Sequence, residues 1–225
     1  MASLIGSKVE RKEDKKFLTG KGRYTADINL VNQTYAYFVR SPHARANINS
    51  VDISKALKAS GVVNIFTGDD IAKEKIGGLI AGWKIVSQDG KDMKVPNHPP
   101  LAKDSVNYVG DHVAVVIAET LEQAKNAADL VNVDYKVKKA VVDTGEALNS
   151  ENIYEDIENN LCFDFILGDA KKTDEAFSGA NKIIKLDLRN NRLIPNAMEP
   201  RACLGDYNSS TDELTYNPTC QNPHL

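Results

Sequence analysis

The chain has 225 residues, with 28 Lys and Arg against 31 Asp and Glu, a formal net charge of −3 that provides no net basicity for a nucleic-acid surface. Hydrophobic residues at 42% and charged residues at 26% suffice for a globular core and exclude wholesale disorder, and the length allows one large domain or two small ones. The three cysteines, Cys162, Cys203 and Cys220, form no CxxC pair, which argues against a disulfide framework or structural zinc and for a reduced, cytoplasmic protein.

The start, Met1-Ala2-Ser3-Leu4-Ile5-Gly6, runs straight into charge from Lys8 to Lys16, so no secretory signal is expected. No stretch approaches the ~18–20 apolar residues of a membrane span. Residues 1–33 read as an irregular arm with Gly20-Lys21-Gly22 in its middle. Strands are expected at 34–39, where Tyr, Phe and Val suit a pleated surface, and at 46–53, which alternates through Ile48, Val51 and Ile53. Ser54 is placed to cap a short helix over 55–59 that Gly61 ends. A third strand follows at 62–66, and Thr67 caps a turn over 69–72.

Residues 74–104 carry Gly77-Gly78, Gly82, Gly90, Pro96 and Pro99-Pro100 and lack periodicity, which predicts a long loop. Its tryptophan, Trp83, is expected to anchor the loop to the body. A strand at 105–108, a turn at Gly110-Asp111 and the apolar run 113–118 come next, the last reading as a buried strand. Thr120 and Gln123 form a capping box for a helix to about Leu130, with Leu121, Ala124, Ala128 and Val131 on its packed face. A strand over 131–135 completes a β-α-β order consistent with a crossover onto one sheet, antiparallel returns being the alternative. Residues 136–152 look like a boundary, with a one-turn helix near Leu148. Beyond it a strand is expected at 161–167, a helix at 170–177 capped by Asp169, long alternation over 181–192, and paired strands at 202–207 and 214–219.

The residues that could carry chemistry are few. His43, His98, His112 and His224 show no metal-ligand spacing. His43 reads as a turn histidine bonded to backbone, and His98 as loop structure. Gly20-Lys21-Gly22-Arg23 lacks phosphate-loop spacing, and there is no GxGxxG. Glu199, between Met198 and Pro200 and beside Arg201, reads as half of an internal salt bridge or as a backbone-bonded carboxylate. From residues alone, the chain is an α+β protein of two units with no self-contained active site.

Ordered phrases carry a resemblance. Ile5-Gly6, Glu13-Asp14, the run from Phe17 to Tyr24 and Asp27-Ile28 open it. Phe38-Val39-Arg40-Ser41-Pro42-His43-Ala44 and Gly61-Val62-Val63 with Thr67-Gly68-Asp69-Asp70 continue it. Tyr108-Val109-Gly110-Asp111-His112-Val113-Ala114, Met198-Glu199-Pro200-Arg201-Ala202 and Gln221-Asn222-Pro223-His224 complete it. Together they resemble the N-terminal portion of the large, molybdenum-binding subunit of the xanthine dehydrogenase/aldehyde oxidase/carbon monoxide dehydrogenase family.

That resemblance implies an α+β chain: an arm at 1–19, an α/β hammerhead domain at 20–136, a linker at 137–152, and the start of a molybdopterin-binding domain at 153–225. It implies oxidoreductase chemistry at a molybdenum–molybdopterin cofactor, with water supplying oxygen and a small-molecule substrate. It places iron–sulfur and FAD centres on partner subunits or domains of a hetero-oligomer. Gln221 matches the glutamine that the family sets beside the molybdenum oxo group, where its amide N–H can donate. Arg40 and His43 match the hammerhead phrase and take no catalytic role. The family's Gly-Gly-Phe-Gly cofactor loop and its catalytic glutamate have no counterpart here, so no general base is named. The expected reading is a partial chain, inactive alone; the alternative is a non-catalytic interaction subunit that completes its site with a separate chain.

Overall fold

The structure, a computed structural model, describes residues 5–222. In chain order its elements are α1 (Asp14–Leu18), β1 (Tyr35–Arg40), β2 (Ala46–Asp52), β3 (Val62–Thr67), α2 (Gly68–Lys73), β4 (Ser105–Val106), β5 (His112–Ala118), α3 (Leu121–Ala128), β6 (Asn132–Val137), α4 (Ala170–Ser178), β7 (Cys203–Asn208) and β8 (Glu213–Pro218). Short 3₁₀ turns lie at Thr25–Asp27, Ala56–Lys58, Ala147–Asn149 and Glu158–Asn160. This mixture of helices and antiparallel sheets is of the α+β class. The chain forms two units: Asn32–Lys185, and the described residues up to Val31 together with those from Leu186 onward.

The larger unit holds two three-stranded antiparallel sheets, ordered β1-β5-β3 and β4-β2-β6. β5 is central because it is covered on both faces. Val113 packs with Ala46, Ala102 and Val106 against the second sheet, while Ala114, Val116 and Ala118 face Ile65, Ala56 and the alanines of α3. That double burial explains its continuous apolar run. Small side chains at Ala124, Ala127 and Ala128 let α3 approach the first sheet closely.

Local caps set where helices begin. The Thr120 hydroxyl oxygen accepts the Gln123 N–H at 3.2 Å and donates to Gln123 Oε1 at 2.9 Å. One limb of the expected capping box forms; the other runs hydroxyl to amide rather than amide to backbone. At α2 the Thr67 N–H and hydroxyl both donate to Asp70 Oδ2 at 2.8 Å. At α4 the Lys172 N–H donates to Asp169 Oδ1 at 3.1 Å.

Several expectations are corrected. β5, α3 and β6 make no crossover onto one sheet: β6 pairs antiparallel with β2 in the other sheet. Leu121 is exposed and Ala127 takes the buried place on α3. The 55–59 helix is a 3₁₀ turn at Ala56–Lys58 whose N-cap position is Lys55, with no side-chain cap; the Ser54 N–H donates to Asp52 Oδ1 at 2.9 Å. The arm contains a helix, α1, whose Phe17 stacks on Tyr24 at 5.9 Å.

Residues 161–167 are not a strand. They meet the long loop through isolated backbone bonds, Lys94 N–H to Cys162 O and Gln88 N–H to Asp164 O, both 2.9 Å. Residues 181–192 alternate but have no strand partner among the described residues, and Ile184, Leu186 and Leu188 are exposed. Alternation encodes a face, not the neighbour that a ladder requires. Trp83 does not anchor its loop: it is 83% exposed, on the rim of an open cleft with Leu79, Met93 and Pro96.

In the smaller unit β7 and β8 form a hairpin, registered from Cys203↔Pro218 to Asn208↔Glu213. Its turn is tied by Tyr207 OH donating to Asp212 Oδ1 at 2.8 Å and Ser210 N–H to Asn208 Oδ1 at 3.0 Å.

Candidate functional site

Gln221 follows the end of the β7–β8 hairpin. The ladder is extended one residue past β8 by Thr219, whose N–H donates to the Ala202 carbonyl at 2.8 Å. In return its Oγ1 accepts the Ala202 N–H at 3.3 Å. This reciprocal lock fixes where the chain leaves the hairpin. Cys220 and Gln221 follow, both exposed, with a bend at Gln221. The side chain of Gln221 therefore presents two amide donors and one acceptor to its surroundings. Asn222 is exposed; Pro223 and His224, which belong to the same phrase, lie outside the described residues, as do Met1 to Leu4.

The neighbouring phrase is open as well. Glu199 is half-buried and forms neither the ion pair nor the backbone bond expected of it, and Met198 is fully exposed.

In the larger unit the histidines contact neighbouring groups of the fold. The Ser41 hydroxyl accepts the His43 N–H and donates to its carbonyl, each at 3.0 Å, while the ring packs edge-on against Tyr135 at 5.0 Å. Arg40 Nη1 donates to the Gly110 carbonyl at 3.2 Å. His98 Nε2 meets Tyr108 OH at 3.2 Å. His112 stacks on Phe38 at 4.5 Å. Burial is the main cause that lowers its pKa below 6.5, followed by the charge of Arg40.

Two buried polar residues carry weight that no sequence signal announced. Asp111 is almost fully buried and accepts the Asn107 N–H at 3.1 Å. The Arg45 side chain is 6% exposed; it donates to the carbonyls of Lys139 at 3.3 Å and Asn152 at 2.6 Å, and pairs with Glu151 at 3.5 Å. Asp111 sits in an ordinary Gly-Asp turn and Arg45 at a strand entrance, where charged residues are normally solvated.

Residues 19–139 match the family model described as aldehyde oxidase and xanthine dehydrogenase, a/b hammerhead domain. Residues 153–225 match the molybdopterin cofactor-binding domain. The chain belongs to the aldehyde oxidase and xanthine dehydrogenase family. It is 35% identical to the nicotine 6-hydroxylase large subunit of Paenarthrobacter nicotinovorans, across 99% of this chain and 26% of that protein. It is 30% identical to the carbon monoxide dehydrogenase large chain of Afipia carboxidovorans, across 98% of this chain and 28% of that one. The structure superposes on quinoline 2-oxidoreductase from Pseudomonas putida 86 with a TM-score of 0.83 at 27% identity, covering 96% of this chain and 27% of that one. The chain thus spans about a quarter of the length of the curated relatives it matches.

Among the described residues no group of three or more His, Cys, Asp or Glu could hold a metal ion. An exposed carboxamide placed by a hairpin lock fits a hydrogen bond to a metal–pterin cofactor. No helix of the described residues is long and apolar enough to cross a membrane.

Proposed function

We propose that the protein carrying this chain is a molybdopterin-dependent oxidoreductase acting on a small molecule, with this chain as the N-terminal portion of its large subunit. The observation that carries this reading is the order of the two family matches, hammerhead at 19–139 and cofactor-binding domain at 153–225, along one chain. We divide the chain accordingly into an arm at 1–19, the hammerhead at 20–136, a linker at 137–152 and the opening of the cofactor domain at 153–225.

When bound, the cofactor supplies two-electron redox chemistry with water as the oxygen source. The part of this chain is to orient it: the Gln221 amide donates to an oxygen acceptor of the cofactor, and the Thr219–Ala202 lock holds that amide in place. The general base belongs to residues outside this chain. Iron–sulfur and FAD centres are assigned to partner subunits or domains. Hetero-oligomeric assembly is supported by relatives named as a large subunit, a large chain and a complex subunit gamma. A cytoplasmic location is supported by three free thiols.

The test compares the full-length protein, produced with its partner subunits, to its Gln221→Ala variant. Anaerobic reduction by substrate is followed for an N-heterocycle, an aldehyde, a purine and carbon monoxide. The variant is expected to keep the pterin while reduction by the active substrate slows about 10- to 100-fold. Equal rates in the two proteins would remove Gln221 from the site.

A further inference from the structure

Asn159 and Asn160 are consecutive residues in left-handed backbone, with φ +54° and +56°. Apart from glycine, that region is open chiefly to residues such as asparagine, whose short polar side chain bonds locally. Both residues are bonded to the segment that Arg45 anchors. The Asn159 N–H donates to Asn152 Oδ1 at 3.0 Å, and Asn160 Oδ1 accepts the Ile153 N–H at 2.7 Å. The Asn152 carbonyl is in turn an acceptor of the Arg45 guanidinium. Ile157, within the bend closed by these bonds, is buried.

Two residues past Asn160 the chain meets the long loop. Residues 85–93 of that loop form a small hairpin, joined at the Val86↔Asp92 bridge and by the Ser87 N–H to Lys91 O and Met93 N–H to Ile85 O bonds, each 2.8 Å. This hairpin and its flank hold residues 162–164. The Lys94 N–H donates to Cys162 O and the Gln88 N–H to Asp164 O, while Ser87 Oγ accepts the Asp164 N–H at 3.2 Å. A line of bonds therefore runs from Arg45 through Asn152 and the Asn159–Asn160 pair to the hairpin. An isolated hairpin is marginal in water, and bonds that open together are held by the whole set.

We propose that residues 139–164 are a strap that docks and releases as one cooperative unit with the 85–94 hairpin, with Arg45 as the latch at one end and Ser87 at the other. Loss of the Arg45 bonds frees Asn152, lets Asn159 and Asn160 leave the left-handed region, and parts residues 162–164 from the hairpin. The stretch 137–152 is thereby a docked segment rather than a free hinge, and the docking continues into the first residues of the cofactor-domain match. All of these contacts lie within the larger unit and involve neither Gln221 nor a cofactor.

The test is hydrogen–deuterium exchange of the full-length protein with its partner subunits, read at residue level by fragmentation mass spectrometry. The reporters are the amides of Ile153 and Asn159 at the Arg45 end and of Gln88 and Lys94 at the hairpin end. In the unsubstituted protein all four are expected to share one opening constant. Arg45→Ala should speed exchange at all four by about tenfold or more. Ser87→Ala, which removes a single hydroxyl acceptor, should speed all four by about fivefold. The β7–β8 amides of the smaller unit should keep their rates in both variants. Different opening constants at the two ends would overturn the proposal. So would acceleration that, in either variant, is absent, confined to the substituted end, or matched by the β7–β8 amides.

Discussion

The Arg45 guanidinium donates to the backbone carbonyl of Asn152 at 2.6 Å, joining the entrance of β2 to a segment 107 positions further along the chain. The same group reaches the carbonyl of Lys139 and the carboxylate of Glu151. Residues beyond Asn152 are gathered by Asn160, whose side chain accepts the Ile153 N–H at 2.7 Å and donates to the Ala147 carbonyl at 2.8 Å. Arg45 thus ties the 139–152 stretch to the entrance of β2, and Asn160 gathers 147–160 upon itself.

Replacing Arg45 removes the charged donor to the Lys139 and Asn152 carbonyls, and each such lost hydrogen bond costs about 1.5–3 kcal/mol. Arg45→Ala should lower the free energy of unfolding by that order, read as a lower midpoint in urea. Arg45→Lys should recover only part of it, because an ammonium cannot span the separate acceptors as the guanidinium fork does. A midpoint unchanged in both variants would show that the segment is held by Asn160 alone.

His112 makes stability depend on pH. Its ring is stacked on Phe38, and its pKa is lowered by burial first, then by the charges of Arg40 and His98; Asp111 and the hydrogen bond to the Pro100 backbone work the other way. The folded pKa lies below the unfolded 6.5, so the folded state binds fewer protons in that window. Its contribution is complete above 6.5 and is lost as pH falls from 6.5 through the folded value. Thermal unfolding measured at about pH 7.5 and about pH 5.5 should show a drop in Tm that His112→Gln reduces. Equal drops in the two proteins would assign the pH dependence elsewhere. Asp70, whose pKa is lowered by the Thr67 N–H and hydroxyl, acts further to the acid side: its contribution is present above 3.8 and is lost as pH falls through its folded value.

Gly61 has φ +76°, and a Cβ there would run into the Gln123 side chain, which Thr120 holds at the start of α3. Gly61→Ala therefore combines left-handed backbone with displacement of a capping contact, and it should destabilise by about 1–2 kcal/mol from the backbone alone. The urea midpoint checks this; an unchanged or raised midpoint would contradict it.

These relationships differ in how far they could be read before the fold was known. β5 was legible because burial on both faces leaves a contiguous apolar run, and α3 and α4 because Thr120 and Asp169 act on backbone only three residues away. Partnership was not legible. Nothing in residues 132–137 says that β6 joins β2 rather than the sheet of β5, and the alternation of 181–192 names no neighbour. Trp83 misled because a large apolar side chain in a loop resembles an anchor until its surroundings are seen. Arg45 was silent because its partners are backbone carbonyls about a hundred positions away, which leave no side-chain signature. Gln221 was reached through the order of family phrases; a single amide has no spacing of its own to recognise.

The central claim is that this chain helps to hold a molybdopterin cofactor. Its most direct test is the molybdenum and released-pterin content of the full-length protein, purified with its partner subunits from molybdate-supplied cells. The account predicts molybdenum and pterin stoichiometric with the large subunit. A folded, assembled protein carrying neither would contradict it.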